Sequence, residues 1–386
     1  MRKFLRIFQI LTRSKFVFYK PKFKKILIFD KHSKDLLSNF FDLDQVYVLN
    51  TRKETINIYI VIKMIINIGK EKFNYQNYLK KIITEVNPKL VITTIDNHIP
   101  FFQLKSFFKD ICFVSVQGTI HFVTGDILET LYENKIYDEY EADYYFVYSD
   151  SYKKEISQFI KSNYITLGSV KNNLFNISNN YKKGTLGYIS RTPPIAFEYI
   201  KSKNMEKIKE NYEKWQVKLL EFFLELVSNL KKYCQSNNID LNIIGATENP
   251  EIEANFYKNL FGEKNWNFFP REGNYGSYEK IDKFEIIISP MSTLGYEAIA
   301  REKKVAFFSM DECVGANFGY PSIKEKKGPF FSNSCKLNEV DRILNYLIKI
   351  DVDEWKKSLR PYQKEYFYYD KENSKLKDFL KKIPNK

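Results

Sequence analysis

Residues Phe284–Ala300 read FEIIISPMSTLGYEAIA. The first half is an apolar, β-branched run, Ile286-Ile287-Ile288, of the kind that forms a strand buried on both faces. Ser289-Pro290 breaks the run, because proline has no N–H to give to a ladder. Ser292, Thr293 and Gly295 then lead into a helical pattern that starts near Tyr296-Glu297-Ala298. A helix N-terminus carries unpaired N–H groups and a partial positive charge, which suits a phosphate. The same Ser and Thr also serve as plain N-caps in turns that bind nothing. Lys303–Ser309 (KKVAFFS) reads as the next buried strand, so the whole is a βαβ unit.

Working outward, the same alternation recurs on both sides. Upstream, strands are predicted at Thr185–Ile189, Leu241–Ile244 and Trp266–Phe269. Helices at Asn211–Ser236, Ile252–Leu260 and Tyr275–Lys283 separate them, and helices at Glu339–Ile348 and Glu354–Phe367 follow. Before a polar linker at Asn172–Lys183, a first series of strands is predicted at Lys24–Asp30, Gln45–Leu49, Leu90–Ile95, Cys112–Val116, Asp143–Tyr148 and Tyr164–Leu167. Helices are expected at Ile56–Ile68, Tyr75–Val86, Leu104–Phe108 and Ser151–Ile160. The expected fold is α/β of the GT-B kind, two Rossmann-like domains facing each other across a cleft. The first spans residues 1–175, the second 176–345, and a helical tail at 346–386 packs back on the first.

The bulk numbers agree with two packed domains. The chain has 386 residues, 44% of them hydrophobic and 17% aromatic, too apolar for disorder and too long for one ordinary core. A formal charge of +14 points to acidic partners, or to a Lys-rich composition bias, since the charge is spread along the chain. No nucleic-acid module is present, and no nucleic-acid partner is expected. Cys112, Cys234, Cys313 and Cys335 are too far apart for a zinc pair or a disulfide framework, which fits a cytoplasmic protein. No run is long and apolar enough to span a membrane. The basic, amphipathic start, MRKFLRIFQILTRSKFVFYK, either lies peripherally on an anionic inner-membrane face or packs on the protein. Neither GxGxxG after the first strand nor a Walker A motif occurs.

In doubly wound sheets, ligands sit beyond the carboxyl ends of the strands. Asp30, Asp96, Asn97, His98, Gln117, Gly118 and His121 all lie there, and each of the three histidines (His32, His98, His121) follows a strand. Several of these segments resemble a family of bacterial surface-carbohydrate biosynthesis proteins of GT-B type. They are LIFDK, ITTIDN, SVQGTIH, LGSVKNN and, most of all, STLGYEAIAREKKVAFFS with FGYPS and KGPFF. The likeness covers roughly Lys24 to Phe331. STLGYEA also resembles the donor-binding part of transferases that use CMP-activated acidic sugars, Kdo and the nonulosonic (sialic, legionaminic, pseudaminic) acids.

What the resemblance implies is a glycosyltransferase that moves an acidic sugar from a CMP donor to a hydroxyl of a surface glycan or lipid-linked acceptor. A UDP-sugar or CDP-polyol transferase, an epimerase on the same fold, and a non-catalytic component of an assembly complex are the other readings. The donor would be held by Ser190, Arg191, Gly245, Ser292, Thr293, Leu294, Gly295, Glu297, Lys326 and Lys327. Arg191 would pair with phosphate or carboxylate, and Glu297 would accept from the ribose hydroxyls. Asn97, His98, Gln117 and Gly118 would face the acceptor. An inverting transfer needs a base from the first domain, with Asp96 foremost, His121 second and Asp30 third. No DxD sits where a metal would be needed, so no metal and no cofactor beyond the CMP-sugar co-substrate is expected.

Overall fold

The computed structural model describes residues 14–52, 55–67, 69, 71–121, 127–134, 140–178, 180–273, 275–309 and 325–383. The start of the basic N-terminal segment and most of the expected Gly315–Pro329 loop lie outside them.

The first domain contains β1 (Lys15–Val17), β2 (Ile26–Phe29), β3 (Val46–Leu49), β4 (Thr55–Asn57), β5 (Leu90–Thr93), β6 (Cys112–Val116), β7 (Glu141–Val147) and β8 (Lys161–Thr166). Six of these form one parallel sheet in the order β3-β2-β5-β6-β7-β8. The chain runs outward from β2 to β3 and then returns past β2 to β5. The topological switch point therefore lies between β2 and β5, where Asp30 and Asp96 end their strands.

The second domain contains β9 (Lys182–Ile189), β10 (Leu241–Ile244), β11 (Trp266–Phe269), β12 (Phe284–Pro290), β13 (Lys304–Phe308) and β14 (Phe331–Ser332). Its sheet, also parallel, has the order β11-β10-β9-β12-β13-β14. This is the strand order of dinucleotide-binding folds, with its switch point between β9 and β12.

Strand alternation assigns each face its cover. In β2, Leu27 and Phe29 point to one core with Val91, Phe113, Tyr145 and the helix Tyr75–Val86. Ile28 points the other way, to Ile92, Val114 and Phe146, and that face is closed by Leu376 and Leu380 of the last helix, Ser374–Lys382. The tail is divided. Trp355 and Leu359 of the helix Val352–Leu359 join the core of the second domain, with the Trp355 ring 5.3 Å from Phe330.

Several boundaries differ from the sequence reading. Pro290 is the last residue of β12 rather than a breaker, because its missing N–H falls where the ladder ends. Met291 then turns with φ 52°, and the helix starts at Thr293, three residues earlier than expected. The parallel pair β1–β4 and the helices Ile127–Asn134, Pro194–Ser202 and Met205–Asn211 were not anticipated. The helix expected at Leu104–Phe108 is a 3-10 turn at Lys105–Phe107, and an unexpected α-helix, Ile99–Leu104, runs into it with Pro100 in its first turn, where proline costs little.

Candidate functional site

The two switch points face each other. In the second domain, Arg191 follows β9 and its guanidinium donates to the carbonyl of Met291 after β12, spanning the crevice. Ser292 is the N-cap of the helix Thr293–Ala300, but no side chain caps it. Its own N–H donates to Ser289 Oγ at 3.3 Å. Thr293 Oγ1 meets Thr119 Oγ1 of the first domain at 2.9 Å, an exposed contact at which the two domains touch. Leu294 packs on the core of the second domain, and Gly295 lies so close to Ser289 that a Cβ would meet its Oγ at 2.1 Å. Gly295 is thus explained by helix–strand packing rather than by close approach of a ligand. Gly245 is similar, since a Cβ there would come within 2.8 Å of the Phe268 ring.

Ser190 is buried and donates to Glu253, a carboxylate on the helix Pro250–Phe261 that the sequence reading passed over. Glu253 also accepts from Ala246 N (3.1 Å), Thr247 N (3.1 Å) and Thr247 Oγ1 (3.0 Å). It therefore moulds the loop after β10 and ties it to the end of β9.

Glu297 faces the first domain, not open solvent. It is buried, its Oε1 accepts from Ser169 and from Tyr278 (3.0 Å), and its carbonyl accepts from Asn172 at 2.9 Å. Phe175 stacks on Tyr278 beside it, with centroids 4.8 Å apart. The ribose role expected of Glu297 needs a carboxylate that is free to accept; here it clasps the two domains together. Burial pushes its carboxyl up from the ordinary value, against the pull of Ser169, Tyr278, Lys171 and Arg301. A raised folded value means that this contribution is complete below the unfolded pKa of about 4.5 and is lost as pH rises through the folded one. Glu297→Gln keeps an oxygen for Ser169 and Tyr278. It is expected to flatten this pH dependence and to be more stable than the unaltered protein above the raised titration, as read by denaturant unfolding across pH.

In the first domain the three expected bases are all buried. Asp96 accepts from Gly118 N at 3.0 Å through Oδ1, and meets His121 Nε2 at 2.6 Å and the Tyr145 hydroxyl at 2.7 Å through Oδ2. The His121 side chain is wholly enclosed, its ring 5.5 Å from that of Tyr152. Asp30 accepts from His32 N (2.9 Å) and from Thr51, and its backbone has φ 97°. All three are enclosed and already hydrogen-bonded within the domain. Asp96 and His121 instead brace the loop that presents Thr119. Gln117 serves the same loop, its side chain bonding Thr119 O (2.9 Å) and Tyr148 N (2.7 Å). At Gly118 a Cβ would strike Thr94 O at 2.2 Å. Asn97 is exposed, and His98, which precedes the helix Ile99–Leu104, is half-buried 5.7 Å from Phe29.

What lines the open part of the cleft is a different set. A hollow of about 640 Å³ is walled by Lys31, His32, Lys34 and Asp35 of the first domain and by Arg271 and Tyr275 of the second, with Lys171 between them. Basic groups outnumber acids there, so the hollow suits an anionic ligand. Sequence reading placed His32 at a strand end without selecting it; the run KHSK directly after Asp30 was the available signal. Lys326 and Lys327 are exposed beside β14, at the opposite edge of the second sheet from β11.

Residues 114–384, more than half of the chain, match the model of a family described as "putative O-antigen biosynthesis protein". The chain belongs to this family. No curated protein matches the sequence. Among solved structures, this O-antigen biosynthesis family member is similar to UDP-GlcNAc 2-epimerase from Methanocaldococcus jannaschii in complex with UDP-GlcNAc and UDP. The identity is 12%, 92% of this chain and 99% of that one are covered, and the TM-score is 0.51. It is also similar to the MnaA–UDP structure from S. aureus, at 13% identity, 93% and 96% coverage and a TM-score of 0.50. At such identities the likeness establishes the GT-B fold of the family member and no more.

Proposed function

We propose that this O-antigen biosynthesis protein is a nucleotide-sugar-dependent glycosyltransferase whose donor is a CMP-activated acidic sugar and whose acceptor is a surface glycan hydroxyl. One observation carries the reading: an uncapped helix N-terminus at Ser292-Thr293, beside Arg191, at the switch point of a sheet with dinucleotide-fold order. Such a place stabilises a single phosphate as it leaves. The basic hollow supports an acidic sugar, because Lys31, Lys171 and Arg271 supply cations for a carboxylate. His32, exposed on the same wall, takes the proton of the acceptor hydroxyl.

A panel of CMP, UDP and CDP in thermal-shift and calorimetric titrations tests the donor. CMP at about 100 times its Kd should add about 2.7 kcal/mol, a rise of several degrees in Tm. Stabilisation by UDP alone would overturn the CMP assignment. Conversion of a free UDP-sugar without any acceptor would favour the epimerase chemistry named for the M. jannaschii structure.

A further inference from the structure

We propose that the flank of the first domain formed by β1, β4 and the helix Ile58–Ile66 is a docking surface for an anionic lipid bilayer. The helix reads IYIVIKMII, eight uncharged residues and one lysine, Lys63. A helix of that kind is ordinarily enclosed. Here only Ile60 and Met64 enter the core, while Ile62, Ile65 and Ile66 are 51%, 54% and 76% exposed. Their i, i+3, i+4 spacing puts them on one face.

The parallel pairing of β1 with β4 brings a second segment with apolar side chains to the start of this helix, because β4 runs directly into it. Asn57 Nδ2 donates to Tyr19 O at 3.1 Å, and the adjoining Phe18 and Tyr19 are 73% and 65% exposed. Contiguous exposed apolar surface on this scale marks an interaction site.

The charge around the patch selects the partner. Lys15, Lys20 and Lys22 are exposed on the segment that carries Phe18 and Tyr19, and Glu85 is shared by Lys20 and Lys63. Further along the same segment Phe23, also exposed, lines a second hollow of about 530 Å³ whose rim includes Lys25, Lys89, Lys377 and Lys381. A second copy of the chain would set lysine against lysine across an isologous contact. A bilayer with anionic headgroups takes the apolar side chains and the lysines together. Among the described residues no helix is long and apolar enough to cross a membrane, so the chain would lie on the surface.

The surface is separate from the cleft, so vesicle binding and donor binding fail independently. The full chain is sedimented with phosphatidylcholine vesicles, with or without about 30% phosphatidylglycerol. Binding is expected to the anionic vesicles, weakened by salt. It should fall by on the order of tenfold or more in Ile62→Ser/Ile65→Ser/Ile66→Ser, with Tm unchanged because the three side chains are exposed. A Lys15→Gln/Lys20→Gln/Lys22→Gln variant should lose the preference for the anionic vesicles. No binding to either vesicle would overturn the proposal. So would undiminished binding of the triple Ser variant, or a dimer in light scattering that this variant dissolves.

Discussion

His32→Gln is expected to lower kcat by roughly 10²–10⁴-fold, with the donor KM and Tm close to those of the unaltered protein. The expectation follows from placement. His32 is exposed on the wall of the basic hollow, held by its own backbone N–H to Asp30 Oδ1, so removing its ring leaves no buried group without a partner. His121 makes the contrast. It is enclosed against Asp96 and Tyr152, so His121→Gln should cost stability first, and activity only through the loop that carries Thr119. Side-by-side measurement of kcat and of unfolding midpoints for the two variants separates a base from a brace. A His32→Gln enzyme with full kcat, alongside an Asp35→Asn enzyme that has lost it, would move the base to the neighbouring carboxylate on the same wall.

The contrast also marks what could be read without coordinates. Strand runs such as ILIF at β2 and FEIIISP at β12 are unbroken apolar segments, and their alternation with helical patterns is a local property. Two doubly wound domains therefore follow from the sequence. The choice among strand-end polar residues does not. Asp96 looks like a free acid in the sequence, and what occupies it is Tyr145, which arrives from β7, together with Gly118 N and His121 beyond β6. Glu297 looks like a first-turn acid, yet its partners Ser169 and Asn172 lie in the other domain. Gly295 invites a ligand until Ser289 is found against it. For Asp96 and Glu297 the deciding contact joins residues far apart in the chain, and for Gly295 it depends on how the helix folds back on its strand, so no local spacing encodes it. The apolar flank at Ile62–Ile66 is the reverse case. Its composition is plain in the sequence, but only the fold shows which of its faces stays uncovered.

Glu253→Ala is expected to cost about 2–4 kcal/mol, a large part of the stability of an ordinary domain. The residue is 0% exposed, and its donors are Ser190 Oγ, Ala246 N, Thr247 N and Thr247 Oγ1. Hydrogen bonds to a charged group contribute about 1.5–3 kcal/mol each, and buried donors left without an acceptor carry their full desolvation cost. Alanine removes the shared acceptor of the buried Ser190 hydroxyl and of the part-buried Ala246 and Thr247 amides, together with the space of the lost carboxylate. Glu253→Gln keeps one acceptor oxygen but turns an N–H₂ toward donors, so it should fall between the two, at about 1–2 kcal/mol. The same contacts join the loop after β10 to the end of β9, the strand that positions Arg191. Nucleotide affinity should therefore fall with stability across the series Glu, Gln, Ala, even though Glu253 is fully buried. Denaturant midpoints and CMP titrations on the three proteins check this, and loss of stability with unchanged affinity would show that the loop does not shape the nucleotide wall.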